Sequence, residues 1–416
     1  MNSIYRQVKY SGMAAIALTM LAAAVISGGI AIPAQAQTET TLYQFAGSPD
    51  GATPRSGVVL KGTTLYGTTW EGGGVSGSGN TGYGIVYKVS TTTGKETILH
   101  TFTANTQPPF DGLEPLGGLV DKAGNLYGTT PYGGEYDGTG YGTIYEIAKN
   151  GTETILYAFT GGTDGAYPEY VTPVFDKLGN LYGTTLGGSY GNGNVFKFAG
   201  GILTTLYNFS GLADGGTPVC GVTLDTKGNI YGVAAAGGAY GYGVLYEITA
   251  AGAYSVLYNF TGGADGSRPY SPLVLKSGKF YGTTQTGGAN GLGVVYEFAP
   301  AKGKKASKET VLHAFAGVPD GASPMYGALV FDKLGNLYGT TLNGGDNNGA
   351  TNLGTVYKLA PDGTVTILYN FDDQPDGYAP MGGVVFDTKG NIYTTAAFGG
   401  NNGGEYGAGT VIKVTP

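Results

Sequence analysis

Hydrophobic positions in this chain come in short runs of Tyr, Val, Thr and Leu, and glycine interrupts them every few residues. That is the composition of strands rather than helices. One run, Asn180-Leu181-Tyr182-Gly183-Thr184-Thr185, recurs with small changes seven times, its tyrosines falling at Tyr66, Tyr127, Tyr182, Tyr231, Tyr281, Tyr338 and Tyr393. Successive copies are 61, 55, 49, 50, 57 and 55 residues apart. Helical solenoid repeats run about 33 to 47 residues and leucine-rich coils about 20 to 29, whereas four-stranded propeller blades need about 40 to 50. The spacing predicts an all-β repeat of blades.

Each repeat divides into four strand candidates. The first resembles 327–331, the second is the Leu-Tyr-Gly-Thr-Thr run, and Asp332-Lys333-Leu334-Gly335-Asn336 between them reads as a tight hairpin with glycine at a positive φ. The third resembles Gly354-Thr355-Val356-Tyr357-Lys358, and the fourth ends in Leu-Tyr-x-Phe, as at Leu206-Tyr207-Asn208-Phe209. The two ends of the chain supply a separate indication. A fourth-type strand, 39–45, precedes the first repeat, and the chain stops on a third-type strand, 410–414. The spare N-terminal strand would complete blade seven and close a ring, which a linear solenoid has no reason to arrange. The expected fold is a single seven-bladed β-propeller over 37–416.

Residues 1–36 depart from this pattern. Arg6 and Lys9 precede an apolar run from Met13 to Ile32, and Ala34-Gln35-Ala36 is a small-x-small cleavage signal. A signal peptide cut after Ala36 is expected in preference to an uncleaved anchor, which places the protein in the periplasm or outside the cell. No later stretch is apolar enough to span a bilayer. Losing Arg6 and Lys9 leaves 20 basic residues against 29 acidic ones, a net charge of −9, which argues against nucleic acid or anionic lipid as a partner. Cys220 is the only cysteine, so no intramolecular disulfide can form, and a monomer held by packing and sheet closure is expected.

Taken together, Gly-Asn-Leu-Tyr-Gly-Thr-Thr, the Gly-Gly pairs, Gly-Thr-Val-Tyr-Lys and Leu-Tyr-x-Phe closely resemble the GloVer tandem repeat of bacterial exported proteins, over all of 37–416. The resemblance implies surface or secreted proteins of unestablished activity, often with a C-terminal sorting anchor. Lys413-Val414-Thr415-Pro416 carries no such anchor, which leaves surface attachment open. The order of strand, Gly-Gly, loop and Tyr strand is similar, more weakly, to a kelch blade without its tryptophan.

Strand alternation puts two repeated features on one face. The links between blades contain Asp-Gly-x-x-Pro, with Asp50, Asp111, Asp164, Asp214, Asp265, Asp320 and Asp376. A ring of carboxylates could coordinate Ca2+. The plainer reading is preferred: Asp caps the turn, Gly takes a positive φ and Pro starts the inner strand. The second feature is the long loop between second and third strands. It carries Trp70, Tyr83, Tyr132, Tyr136, Tyr141, Tyr190, Tyr240, Tyr242 and Tyr406, with Asn290, Asn347, Asn348, Asn401 and Asn402 interspersed. Aromatic faces beside amides suit sugar rings or a surface protein.

Catalytic constellations are scarce. His100 and His313 both occupy the Tyr position of Leu-Tyr-x-Phe and read as packed aromatics, so a catalytic triad or His-rich metal site is not expected. Cys220 reads as a core or channel residue, and no phosphate-cradling loop is present. The carboxylates that break the repeat, Glu71, Glu114, Glu135, Asp137, Glu169, Asp346 and Glu405, could supply an acid and a base for glycoside cleavage. An enlarged loop at 299–308 carries Lys302, Lys304, Lys305 and Lys308 and reads as a solvated surface loop. The expected function is binding of an extracellular glycan or surface protein, with no cofactor required. The alternatives are a carboxylate-dependent glycoside hydrolase or lyase and a structural surface component.

Overall fold

A computed structural model describes residues 38–74, 82–104, 110–134, 140–301, 305–347, 350–401 and 407–415. The expected signal peptide, Tyr136, Tyr406, Glu135, Asp137, Glu405, Asn348, Asn402, Lys302 and Lys304 lie outside the described residues. Among the described residues every regular element is a strand. Seven antiparallel four-stranded sheets follow one another as the blades of a propeller. Blade one, for example, is built from Val59–Lys61, Thr64–Thr69, Ile85–Ser90 and Glu96–Thr101, from the channel outward. Blade seven takes Val385–Phe386, Ile392–Ala396 and Thr410–Thr415 from the end of the chain and its outer strand, Thr38–Gln44, from the beginning.

Inner strands are shorter than the sequence suggests, only two or three residues each. The glycine-rich residues ahead of them run side by side with the neighbouring blade's backbone: a Cβ on Gly57 would stand 3.2 Å from the amide nitrogen of Gly383. Backbone this close to the axis is occupied by its neighbour before it can join its own ladder.

The repeated Leu-Tyr-Gly-Thr-Thr strand has a distinct task for most of its residues. Leucine, or its Ile and Phe equivalents, is buried in every blade. Glycine faces an aromatic ring on the third strand; Gly282 pairs with Tyr296, and a Cβ there would lie 2.6 Å from the phenol oxygen. Blade seven substitutes both partners together, with Thr394 opposite Ile412. The first threonine reaches out of its blade. Thr184 donates to the Cys220 carbonyl at 2.8 Å, Thr340 to Gly382 at 2.8 Å, and Thr395 of blade seven to Ser56 of blade one at 2.8 Å. The second threonine donates to a carbonyl two residues on, as Thr69 does to Glu71 at 2.7 Å, and fixes the start of the long loop.

Hydrophobic packing follows the same circular logic. Seven buried clusters lie one at each blade–blade seam, including the seam between blades seven and one, where Phe45, Tyr87, Tyr393 and Val411 meet. The Phe of Leu-Tyr-x-Phe packs edge-on against the third-strand aromatic of the following blade, as Phe260 does against Tyr296 at 5.2 Å between centroids.

The glycine–aromatic pairing predicts a compensating double substitution. Gly282→Thr alone should cost about 1–3 kcal/mol by overpacking against Tyr296. Tyr296→Ile should cost less in the Gly282→Thr background than in the wild type, because blade seven already uses that combination. Denaturant unfolding of the four proteins in a double-mutant cycle measures this, and strictly additive costs would contradict it.

Candidate functional site

Link and long loop of each blade are joined directly by backbone pairing. Two-residue ladders connect Gly51–Ala52 with Glu71–Gly72, Gly112–Leu113 with Tyr132–Gly133 and Gly321–Ala322 with Asn343–Gly344, and single bridges do the same in the other four blades. The two features therefore share one face, at one mouth of the central channel.

The seven link aspartates are engaged in their own turns. Asp50 accepts from the Tyr43 hydroxyl at 2.9 Å, the Ala46 amide at 2.9 Å and the Gly51 amide at 2.7 Å. Asp164, Asp214 and Asp265 repeat the tyrosine contact with Tyr157, Tyr207 and Tyr258 at 2.9–3.0 Å, and Asp376 does so with Tyr369. Histidine replaces tyrosine at Asp111, which meets His100, and at Asp320, which meets His313. Both imidazoles also pack edge-on against the next phenylalanine, Phe102 or Phe315.

One detail of the turn differs from the sequence reading. Gly51, Gly112 and Gly321 do not take a positive φ, although their four counterparts do. Space demands the glycine, because a Cβ on Gly51 would fall 2.6 Å from the Thr69 methyl. The residue that is left-handed in every link is the one before proline: Thr53, Glu114, Tyr167, Thr217, Arg268, Ser323 and Ala379, with φ between 54° and 60°. Non-glycine residues visit this region rarely. Its use in all seven blades holds a variable side chain at the same backbone position of every link.

These positions, with the residues just after proline and just after the Thr-Thr pair, hold the departures from the repeat. In blades one to three they converge. The Arg55 guanidinium lies 3.8 Å over the Trp70 ring and 5.9 Å from Phe398. Trp70 Nε1 donates to Glu114 Oε2 at 2.9 Å. Burial raises the Glu114 carboxyl above its ordinary range; the Trp70 bond and Arg55 oppose the rise and Glu71 adds to it. Burial also raises Glu169, again against Arg55. Tyr132 is raised by burial and by the charges of Glu169 and Glu114, and its ring lies 5.7 Å from that of Tyr167. The Arg55 Nε atom is buried with no hydrogen-bond partner among the described residues.

Below this cluster the channel is crossed by a ring pair. Tyr170 of the blade-three link and Tyr326 of the blade-six link stack at 3.7 Å and 7°, and Tyr270 leans on Tyr326 at 5.7 Å. Tyr170 and Tyr326 are left-handed, φ 51° and 61°, and the Gly327 amide bonds the Met325 carbonyl across Tyr326 at 2.7 Å, a strained γ-turn. Tyr326 lines both the narrow mouth, with Arg55 and Met381, and a deeper space of about 350 Å³ walled by inner-strand residues of all seven blades.

The aromatic residues singled out from sequence do not gather into one surface. Trp70 and Tyr132 belong to the channel mouth. Tyr83 packs into the seam between blades one and two, and the Tyr242 ring lies against Gly262 of the following link. Tyr190 and Tyr240 are exposed, 67% and 60%, on the loops of blades three and four. Asp346 is exposed on the blade-six loop, and Cys220 is buried, its thiol pushed up to about 12 by burial. Sequence reasoning missed Arg55, Tyr167, Tyr170 and Tyr326. Their signal was present: each is an exception within two residues of a repeated proline.

A sequence profile described as the Gloeobacter/Verrucomicrobia repeat matches residues 29–186 and 169–412. No curated protein matches the chain. Solved structures similar in fold include a fungal alcohol oxidase of the AA5 family in complex with copper, at 14% identity and a TM-score of 0.56, covering 91% of this chain and 76% of that one. A GH74 enzyme of Niastella koreensis has 18% identity and a TM-score of 0.56, covering 87% and 53%. An oligogalacturonate lyase of Vibrio parahaemolyticus has 10% identity and a TM-score of 0.49, covering 91% and 93%. Identities this low bear on the fold alone.

The link aspartates also set a pH dependence. Glu96 stands near Asp50 and Glu309 near Asp265, and each is raised to about 7, by burial first and then by the neighbouring aspartate. A carboxyl whose folded pKa exceeds its unfolded value holds its proton more tightly in the native state. Stability should therefore fall as pH rises from about 4.5 through about 7. Denaturation midpoints at about pH 5 and about pH 8 test this, and Glu96→Gln with Glu309→Gln should reduce the difference. A wild-type midpoint that rises with pH across this window would contradict the assignment.

Proposed function

The chain belongs to the Gloeobacter/Verrucomicrobia repeat family, and we propose that it is an exported carbohydrate-binding propeller whose site is the channel mouth between blades one and three. One observation carries the reading: Arg55, Trp70, Glu114, Tyr132, Tyr167 and Glu169, all exceptions to the repeat, converge there. A symmetric scaffold that keeps its shape in seven copies has no structural need for this asymmetry.

The chemistry suits a sugar. Partly exposed rings offer apolar faces to C–H groups, carboxylates accept from hydroxyls, and a stacked guanidinium donates. Glu71, Glu114 and Glu169 outnumber Arg55, which favours neutral or amino sugars over uronates. Export rests on the basic start, apolar run and Ala34-Gln35-Ala36 of the leader. A second reading, glycoside cleavage, is favoured by the upward shift of Glu114 and Glu169 through burial, the direction in which a general acid is tuned.

Trp70 is the only tryptophan, so intrinsic fluorescence reports on the mouth without labelling. Titration with a panel of neutral, amino and acidic oligosaccharides should change the emission with neutral or amino sugars. Tyr132→Ala should weaken binding roughly tenfold, in line with about 1–1.5 kcal/mol for a lost aromatic contact. Tyr240→Ala on the outer loop should leave affinity unchanged. Release of new reducing ends, abolished by Glu169→Gln, would move the assignment to the hydrolase. No response to any saccharide would overturn both.

A further inference from the structure

At each seam the outer strand of one blade lies against the link turn by which the chain enters that blade from the one before. Six residues ahead of its buried phenylalanine, the outer strand carries Glu39, Glu96, Glu153 or Glu309 in four blades, and Leu203, Tyr254 or Val365 in the others. Two residues ahead of that phenylalanine stands the aromatic that meets the link aspartate, tyrosine in five blades and histidine at His100 and His313. The two variations coincide once. His313 and Asp320 share their seam with Val365, whereas His100 and Asp111 of the blade-one turn receive Glu153 from blade two.

The two histidine seams differ in geometry as well. His313 Nε2 lies 2.8 Å from Asp320 Oδ2, an ordinary hydrogen bond. His100 Nε2 lies 3.3 Å from both oxygens of Asp111, long for a hydrogen bond. That distance matches the edge of a tetrahedron of ligands, about 3.3 Å, around a cation bound at about 2.0–2.1 Å. One ligand atom each from His100, Asp111 and Glu153 lies within 4.8 Å of the others. Glu153 Oε1 is buried without a hydrogen-bond partner among the described residues. Asp111 is itself held by the Thr103 amide at 2.9 Å and the Gly112 amide at 2.8 Å, the outer support that a ligating carboxylate needs.

We propose that His100, Asp111 and Glu153 form a binding site for one divalent transition-metal ion of the Zn2+ class, with three protein ligands and a position left for water. An imidazole with two carboxylates suits Zn2+ or Co2+ and not Ca2+, which takes oxygen ligands only. The ion would tie the turn leaving blade one to the outer strand of blade two, a seam on the rim of the ring and separate from the channel mouth.

The chain itself supplies conservative variants, because other seams carry Tyr for His100 and Val for Glu153. Untagged full-length protein, stripped with chelator, is titrated with Zn2+ by calorimetry and with Co2+ by visible absorption. One equivalent should bind, with a four-coordinate Co2+ spectrum. His100→Tyr and Glu153→Val should each weaken binding at least about tenfold while leaving the metal-free thermal midpoint close to wild type. His313→Tyr should bind as wild type does. Absence of binding by the wild type, or equal binding by wild type, His100→Tyr and Glu153→Val, would overturn the site. Binding that depends on His313 instead would overturn it too. Preference for Ca2+ would overturn the assigned class of ion.

Discussion

The pairing of Thr38–Gln44 with Thr410–Thr415 is the contact on which the rest of the ring depends. Without it blade seven would end on an open third strand, and the seam holding Phe45 against Tyr87 of blade one would lose its wall. Each other blade is buried by two neighbours, so an opening at one seam exposes the hydrophobic faces of two blades. The threonine hydroxyls that cross from blade to blade, ending with Thr395 on Ser56, follow the same circuit. No disulfide assists them, since Cys220 is alone.

Symmetry and function divide the residues between them. The repeated ones, the buried leucine, the glycine under its aromatic ring, the two threonines and the link aspartate, are engaged within the scaffold and have little freedom left. The left-handed residue before each proline is different. Its backbone is fixed in every blade while its side chain varies from Ala379 to Arg268. A rigid frame that holds seven replaceable side chains at equivalent positions can change its ligand without changing its fold.

Blade number, strand order and closure were legible in the sequence because a repeat states its own period seven times. Turn chemistry was legible only in part. The motif glycine suggested a positive φ, but in three blades it is there because Thr69, Thr130 and Thr341 leave no room for a Cβ. The site was harder to read, since aromatic residues are common throughout and composition does not separate Trp70, at the mouth, from Tyr83, in a seam. What gathers Arg55, Glu114 and Glu169 is the folding of three successive links toward one axis, which brings together residues more than fifty positions apart. The meeting of His100 with Glu153 is of the same kind: neither marks a site within its own repeat, and only the stacking of one blade on the next makes them neighbours.

Closing a ring with its first strand also fixes an order of events. The strand that completes blade seven is among the first parts of the propeller to be synthesised, and its partner is the last. Every shorter length of chain has two unsatisfied edges, however many blades have formed between them. A length of chain that stops short of Thr410–Thr415 stays an open arc, and the ring forms only when that strand meets Thr38–Gln44.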